Sequence, residues 1–221
     1  MFPIRWLSSL LVIGVQFLFI QNAWSKPYEM PTNCKRLECP SYVVLHHFNE
    51  FEIRSYQGHT IWMSTKEISS NSYKEAANEG FETLFDYIQG KNNVHMKIEM
   101  TAPVLVDIVP SSSPLCNSTF AVKFYVPKKH QKKPPVSSQV EPEQWPGNQY
   151  VAARRFGGFM NDSNVAMEAL ALKESLEKSP WASRTSLKRR KGSSEFTVAG
   201  YDSPYEYDNR VNEVMIFLND Y

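Results

Sequence analysis

The sequence predicts an α+β fold, on three observations. Short strands with two-residue alternation outnumber helices. Two segments, residues 73 to 89 and 163 to 178, carry apolar residues at the helical period. The order of elements also repeats: strands, a helix and two strands, then a strand, a helix and two strands. Such a repeat implies an internal duplication around one barrel-like sheet, with the helices covering a face.

At the N-terminus, Arg5 precedes an apolar run from Trp6 to Ile20, and Ala23-Trp24-Ser25 puts small residues at −3 and −1 of a cleavage point. Residues 1–25 therefore read as a secretory signal peptide, the alternative being an uncleaved anchor. Residues 26–41 contain Pro and Cys without periodicity and read as an extended lead-in. Residues 42–221 form a single domain. YVVLHHF and FEIRSY are two strands with a turn at Asn49-Glu50, and TIWMSTKEI is a third. Ser72 and Glu75 then form a capping box for a helix that ends at Gly90. On its apolar face Ala77 and Gly80 permit close approach to a sheet, while Phe81 and Phe85 fill depth. VLVDIV and FAVKFYVP follow as strands, then the basic loop KKHQKKPPVSS. QYVAARRFGGF is a strand ending at a Gly-Gly turn. The second helix buries Val165, Ala169, Leu172 and Leu176 and stops before Pro180. A second basic loop, RTSLKRRKGSS, leads to the closing strands EFTVAGY and NEVMIFL.

Composition narrows the function. The formal net charge is +1, and removing Arg5 with the signal leaves 23 residues of each sign. No global field favours nucleic acid or an anionic membrane. Secretory entry permits disulfides, but Cys34, Cys39 and Cys116 are odd in number, and spacing does not choose the pair. Asn117-Ser118-Thr119 and Asn161-Asp162-Ser163 are glycosylation sequons on the same route.

His95-Met96-Lys97-Ile98-Glu99-Met100 invites a metal reading, since imidazole and thioether suit haem iron or copper(I). Alternation gives a different account, with Met96, Ile98 and Met100 facing the core, His95 in water, and Lys97 and Glu99 a solvated pair. His46 and His47 are adjacent, so in a strand they point to opposite faces. G-x-S-x-G, H-E-x-x-H, P-loop and G-x-G-x-x-G patterns are all missing, and Cys116 has no supporting catalytic pattern. The reading is therefore not that of an enzyme. The basic loops read as solvated.

Several stretches together resemble the SOUL haem-binding protein family. They are Phe51-Glu52-Ile53-Arg54-Ser55-Tyr56, the helix from Glu79 through Phe81, Leu84, Phe85 and Ile88 to Asn92, Lys97-Ile98-Glu99-Met100-Thr101-Ala102-Pro103-Val104, Phe124-Tyr125-Val126-Pro127, Phe156-Gly157-Gly158 and Asn209-Arg210-Val211-Asn212-Glu213-Val214. The match runs in order from Tyr42 to Leu218, and the lead-in looks like a plant secretory branch. The resemblance implies a distorted antiparallel β-barrel of two similar halves with two long helices packed on it. It also implies non-catalytic binding or carriage of haem or another tetrapyrrole, non-covalent and reversible, in an open apolar groove beside the first helix. Carried over, that groove is lined by Phe81, Leu84, Phe85 and Ile88 with Met63 and Met100, and Lys74, Lys91 and Lys97 are near enough to meet propionates. Some animal members place a histidine, proposed as axial ligand, where this chain has Ser55. Basic residues on their first helix align with Asn78 and Asp86, so no iron ligand is carried over. A rival reading makes the groove a seat for a hydrophobic peptide or partner protein. In either case no membrane span remains once the signal is removed.

Overall fold

In a computed structural model of the chain, residues 26–111, 117–184 and 194–219 are described. The signal segment, Cys116 and most of the second basic loop lie outside them. The elements run β1 (Tyr42–His47), β2 (Glu52–Gln57), β3 (Ile61–Thr65), β4 (Ile68–Ser70), α1 (Tyr73–Ile88), β5 (Val104–Val109), β6 (Ser118–Tyr125), β7 (Val140–Gln144), β8 (Asn148–Phe156), α2 (Asp162–Glu177), β9 (Phe196–Gly200) and β10 (Asn212–Leu218). The ten strands form one antiparallel sheet in the order β1-β2-β8-β10-β9-β5-β6-β3-β7, with β4 on β6. The end strands β1 and β7 do not pair, so the barrel is an open one.

The duplication is visible in the pairing. β3, α1, β5 and β6 give the order β3-β6-β5, while β8, α2, β9 and β10 give β8-β10-β9. The two units meet where β5 pairs with β9, Val104 opposite Gly200 and Val106 opposite Val198. α1 covers the first unit and α2 the second. Alternation then gives the sheet a second, inner face, where Trp62, Trp145, Tyr56 and Tyr125 form a cluster of tilted and edge-on rings.

Local chemistry explains where α1 lies. Ser72 Oγ accepts from the Glu75 amide at 3.4 Å, as the capping box predicts. The reciprocal half is not made. The Ser72 amide donates instead to Ser70 Oγ at 3.0 Å, and the Tyr73 amide to Asp162 at the start of α2. Gly90, at φ +110°, ends the helix. A Cβ at Gly80 would overlap Val122 Cγ2, so only glycine lets α1 lie this close to β6. α2 has the complete box: Asn161 Oδ1 accepts from the Ser163 and Asn164 amides, and Asn164 Oδ1 from the Asn161 amide.

Three expectations change. The third strand breaks into β3 and β4 at Lys66-Glu67. β7 has no counterpart in the sequence reading; it is an edge strand, paired with β3, where the amide missing at Pro142 is tolerated. Residues 95 to 100 keep their alternation but form no strand. Asn92 organises them instead, donating to the Tyr87 and Met96 carbonyls and accepting from the Val94 and Met96 amides.

The lead-in packs onto the domain. Cys34 and Cys39 are disulfide-bonded, which settles a pairing that spacing alone left open. Buried Asn33 donates to the Tyr201 carbonyl, Asp202 and Glu206, and the Tyr28 amide donates to Glu52.

Candidate functional site

α1 has one side on the sheet and one at the surface. Leu84 is fully enclosed, as are Ile88 and, on β3, Met63. These three support the helix from beneath and do not reach its surface. Phe85 is 43% exposed, and Phe81, one turn earlier, is half-buried. Their rings stack at 5.8 Å and 15°, and Phe81 also meets Phe124 edge-on at 5.4 Å. Half-buried Met100 and Met96 pack against the same core. Phe81 and Phe85 are thus accessible apolar groups in contact with each other, over a core that holds Leu84, Ile88 and Met63 and against which Met100 also packs.

The cationic candidates separate. Lys74 is exposed on the outward stripe, about 16 Å along the helix from Phe85 at 1.5 Å per residue. Lys97 is exposed beside Ile98, whose amide donates to the Ile88 carbonyl at 2.8 Å. Lys91 is paired with Asp86 at 2.6 Å. The Lys97–Glu99 pair expected from the sequence does not form, because Glu99 pairs with Lys129 across the chain. His95 is exposed, in a left-handed conformation with φ 53°. Among the described residues, no group of three or more His, Cys, Asp or Glu side chains converges on a metal position. Ser55 is buried in the middle of β2, away from any surface ligand.

One surface escaped the sequence reading. Residues 128 to 138, read as a solvated loop, are pinned through Gln131, Pro135 and Val136 against β3 and the end of α1. Gln131 accepts from the Ile61 amide at 2.7 Å and donates to the Ile61 carbonyl at 3.0 Å. The Tyr87 hydroxyl donates to the Pro135 carbonyl at 2.9 Å; burial pushes that phenol up to about 12, so it stays protonated as a donor. Asn93 and Val136 exchange two further bonds of 2.8 Å. No local signal in the sequence predicts this docking, since each partner lies far away along the chain. A second exposed patch joins Phe159 and Tyr207, with the Arg210 guanidinium 4.3 Å over the Phe159 ring. It adjoins the start of α1, where the Tyr73 hydroxyl meets Met160 Sδ. The Gly157-Gly158-Phe159 turn was its only sequence signal.

The sheet's inner face is sealed by charge. Arg54, Glu52 and Glu213 are fully buried. Arg54 donates to Glu52 at 2.8 Å and to both oxygens of Glu213 at 2.7 and 2.9 Å; Arg155 and the Tyr201 hydroxyl complete the set. Burial alone would raise the Glu213 carboxyl, but the two guanidiniums outweigh it and hold it down at about 2. Every oxygen of Glu213 has a donor, so this cluster is structural.

Comparison with known proteins agrees with this architecture. The family model described as SOUL heme-binding protein matches residues 37–217. The chain is 35% identical over 172 residues to human heme-binding protein 2 and 34% over 170 residues to the mouse protein, covering 75% of this chain and 77% of each relative. Among solved structures, the C-terminal domain of EcmrR superposes with a TM-score of 0.55 at 9% identity, over 78% of this chain and 98% of that one, a likeness of fold alone. The chain belongs to the SOUL haem-binding protein family.

Proposed function

We propose that this protein binds haem or a related tetrapyrrole non-covalently and reversibly, without catalysis. The flat ring lies against Phe81 and Phe85 beside α1, and no side chain serves as a fixed axial ligand. The observation that carries this reading is the exposed, parallel Phe81–Phe85 stack on a helix held rigidly to the sheet at Gly80. Apolar burial favours such an arrangement at about 25 cal/mol per Å² covered. Titration of haemin into the protein, followed by the Soret band and tryptophan quenching, tests it. Micromolar binding is expected, and Phe85→Asp weakens it far more than His95→Ala. The opposite ranking would make residues 95 to 100 a metal site.

The route is secretory, ending outside the cell, in the vacuole or in the ER. The apolar N-terminal segment and the Cys34–Cys39 disulfide support it. Asn117 and Asn161 are both exposed, and Asn161 caps α2 through Oδ1 alone among the bonds described. A mass decrease on endoglycosidase treatment of protein from its native host is expected.

The second reading, an interaction module for a hydrophobic peptide or partner protein, is favoured by the exposed Phe159–Tyr207 patch. A stoichiometric extracellular partner and no co-purifying porphyrin would support it over the first.

A further inference from the structure

We propose that the short basic turn after β6 is the carboxylate-recognition element of the site, with Lys128, Lys132 and Lys133 meeting the propionates of a tetrapyrrole whose ring lies on Phe81 and Phe85. This rests on the proposed tetrapyrrole binding and deepens it by naming the polar half of the site.

Strand register places the turn. Along β6, Val122 lies under Gly80 and Phe124 meets Phe81. Val126 lies on the same side and belongs to the same core cluster. The strand thus advances beneath α1 toward its C-terminal half, and the chain leaves it at Pro127. A 3₁₀ turn, Lys128–His130, begins there. The clamp of Gln131 on Ile61 and the bond from Tyr87 to Pro135 hold residues 131 to 135 in place. The Lys129–Glu99 pair ties the turn to the segment bearing Met100. The basic turn is therefore tied both to the C-terminal end of α1 and to the segment bearing Met100.

Charge points the same way. Lys128, Lys132 and Lys133 are exposed, and among the described residues none of their ammonium groups has a carboxylate within 4.0 Å. The acidic groups facing the turn are Glu99, which Lys129 neutralises, and Glu38, which accepts from the Lys128 amide at 2.8 Å. Of the acids on the nearby turns of α1, Asp86 is paired with Lys91, and Glu82 is exposed. A local excess of positive charge thus borders an apolar face, in a chain whose formal net charge is only +1. A planar apolar ring with two carboxylates on one edge complements both features.

The test compares wild type with the triple variant Lys128→Ala/Lys132→Ala/Lys133→Ala, using zinc protoporphyrin and its dimethyl ester as probes. Thermal unfolding and circular dichroism check that the variant is folded. The variant is expected to bind the free acid roughly tenfold more weakly and the ester as wild type does. Raising salt should weaken the free acid's binding to wild type and change the variant little. Equal affinity of wild type and variant for the free acid overturns the basic turn's role while leaving ring binding intact. An equal loss for acid and ester overturns it too. If wild type binds neither probe, tetrapyrrole binding itself fails.

Discussion

α1 and α2 occupy equivalent places in the two halves of the sheet, yet they present different surfaces. α1 lies close to its strands at Gly80 and turns a stacked aromatic pair outward. α2 packs through Val165, Ala169, Leu172 and Leu176, and exposes Met167 and Leu170 among charged neighbours. Its Glu168 is tied to Arg154 at 2.7 Å. The inner face repeats the contrast in charge. In the second half one carboxylate, Glu213, sits between two arginines; in the first, Lys123 sits between Asp107 at 2.5 Å and Glu143 at 2.6 Å. The lesson is that topology was duplicated while chemistry was not. Of the two helices, α1 is the one that carries a stacked ring pair on a close-packed backing, the feature on which the proposed ligand surface rests.

The inner clusters provide the largest expected difference between the halves. Arg54→Met strands Glu213 and Glu52 in a dry interior and should cost about 3–5 kcal/mol, measured by urea unfolding. Lys123→Met should cost less, about 1–3 kcal/mol, because the Glu143 side chain is 43% exposed and regains water. Equal losses would mean that the two clusters are equivalent after all.

Acid should act through the second half. Glu213 has a folded value of about 2 against an ordinary 4.5. A carboxyl lowered in this way stabilises the fold fully above its unfolded value, and that contribution is lost as pH falls through the folded one. Stability should therefore drop by about 3 kcal/mol between pH 5 and pH 2 from this group. Glu213→Gln should flatten that part of the curve. An unchanged acid slope would show that other carboxyls govern it.

At the helix–sheet contacts, Gly80→Val drives a side chain into Val122 and should cost about 2–3 kcal/mol. Ala169→Gly in α2 should cost only about 1 kcal/mol, through backbone freedom. Thermal melts rank the two. The last comparison is the most telling for function. Phe85→Asp should weaken haemin binding by about tenfold or more, whereas Leu170→Asp, at an exposed apolar site on α2, should leave it unchanged. A matching loss at Leu170 would move the ligand to the other half.

In the candidate site, the sequence identifies the helix but not the depth of its side chains. Phe81, Leu84, Phe85 and Ile88 form one apolar stripe by spacing. Which of them stays reachable depends on β6, which comes close at Gly80 and leaves Phe85 uncovered. The basic turn was legible as charge but its docked position was not, because its anchors, Ile61, Tyr87 and Asn93, come from other elements.

Period, capping and turn residues are local, so the sequence alone determined the α+β class, both helices, the repeat of strand order and the approach at Gly80. The Cys34–Cys39 pair, the edge strand through Pro142, the sealed Arg54–Glu213 cluster and the docking of the basic loop on Tyr87 at the end of α1 were decided only in three dimensions. Each of these depends on which surfaces come together when the sheet curls, and no window along the chain contains that information.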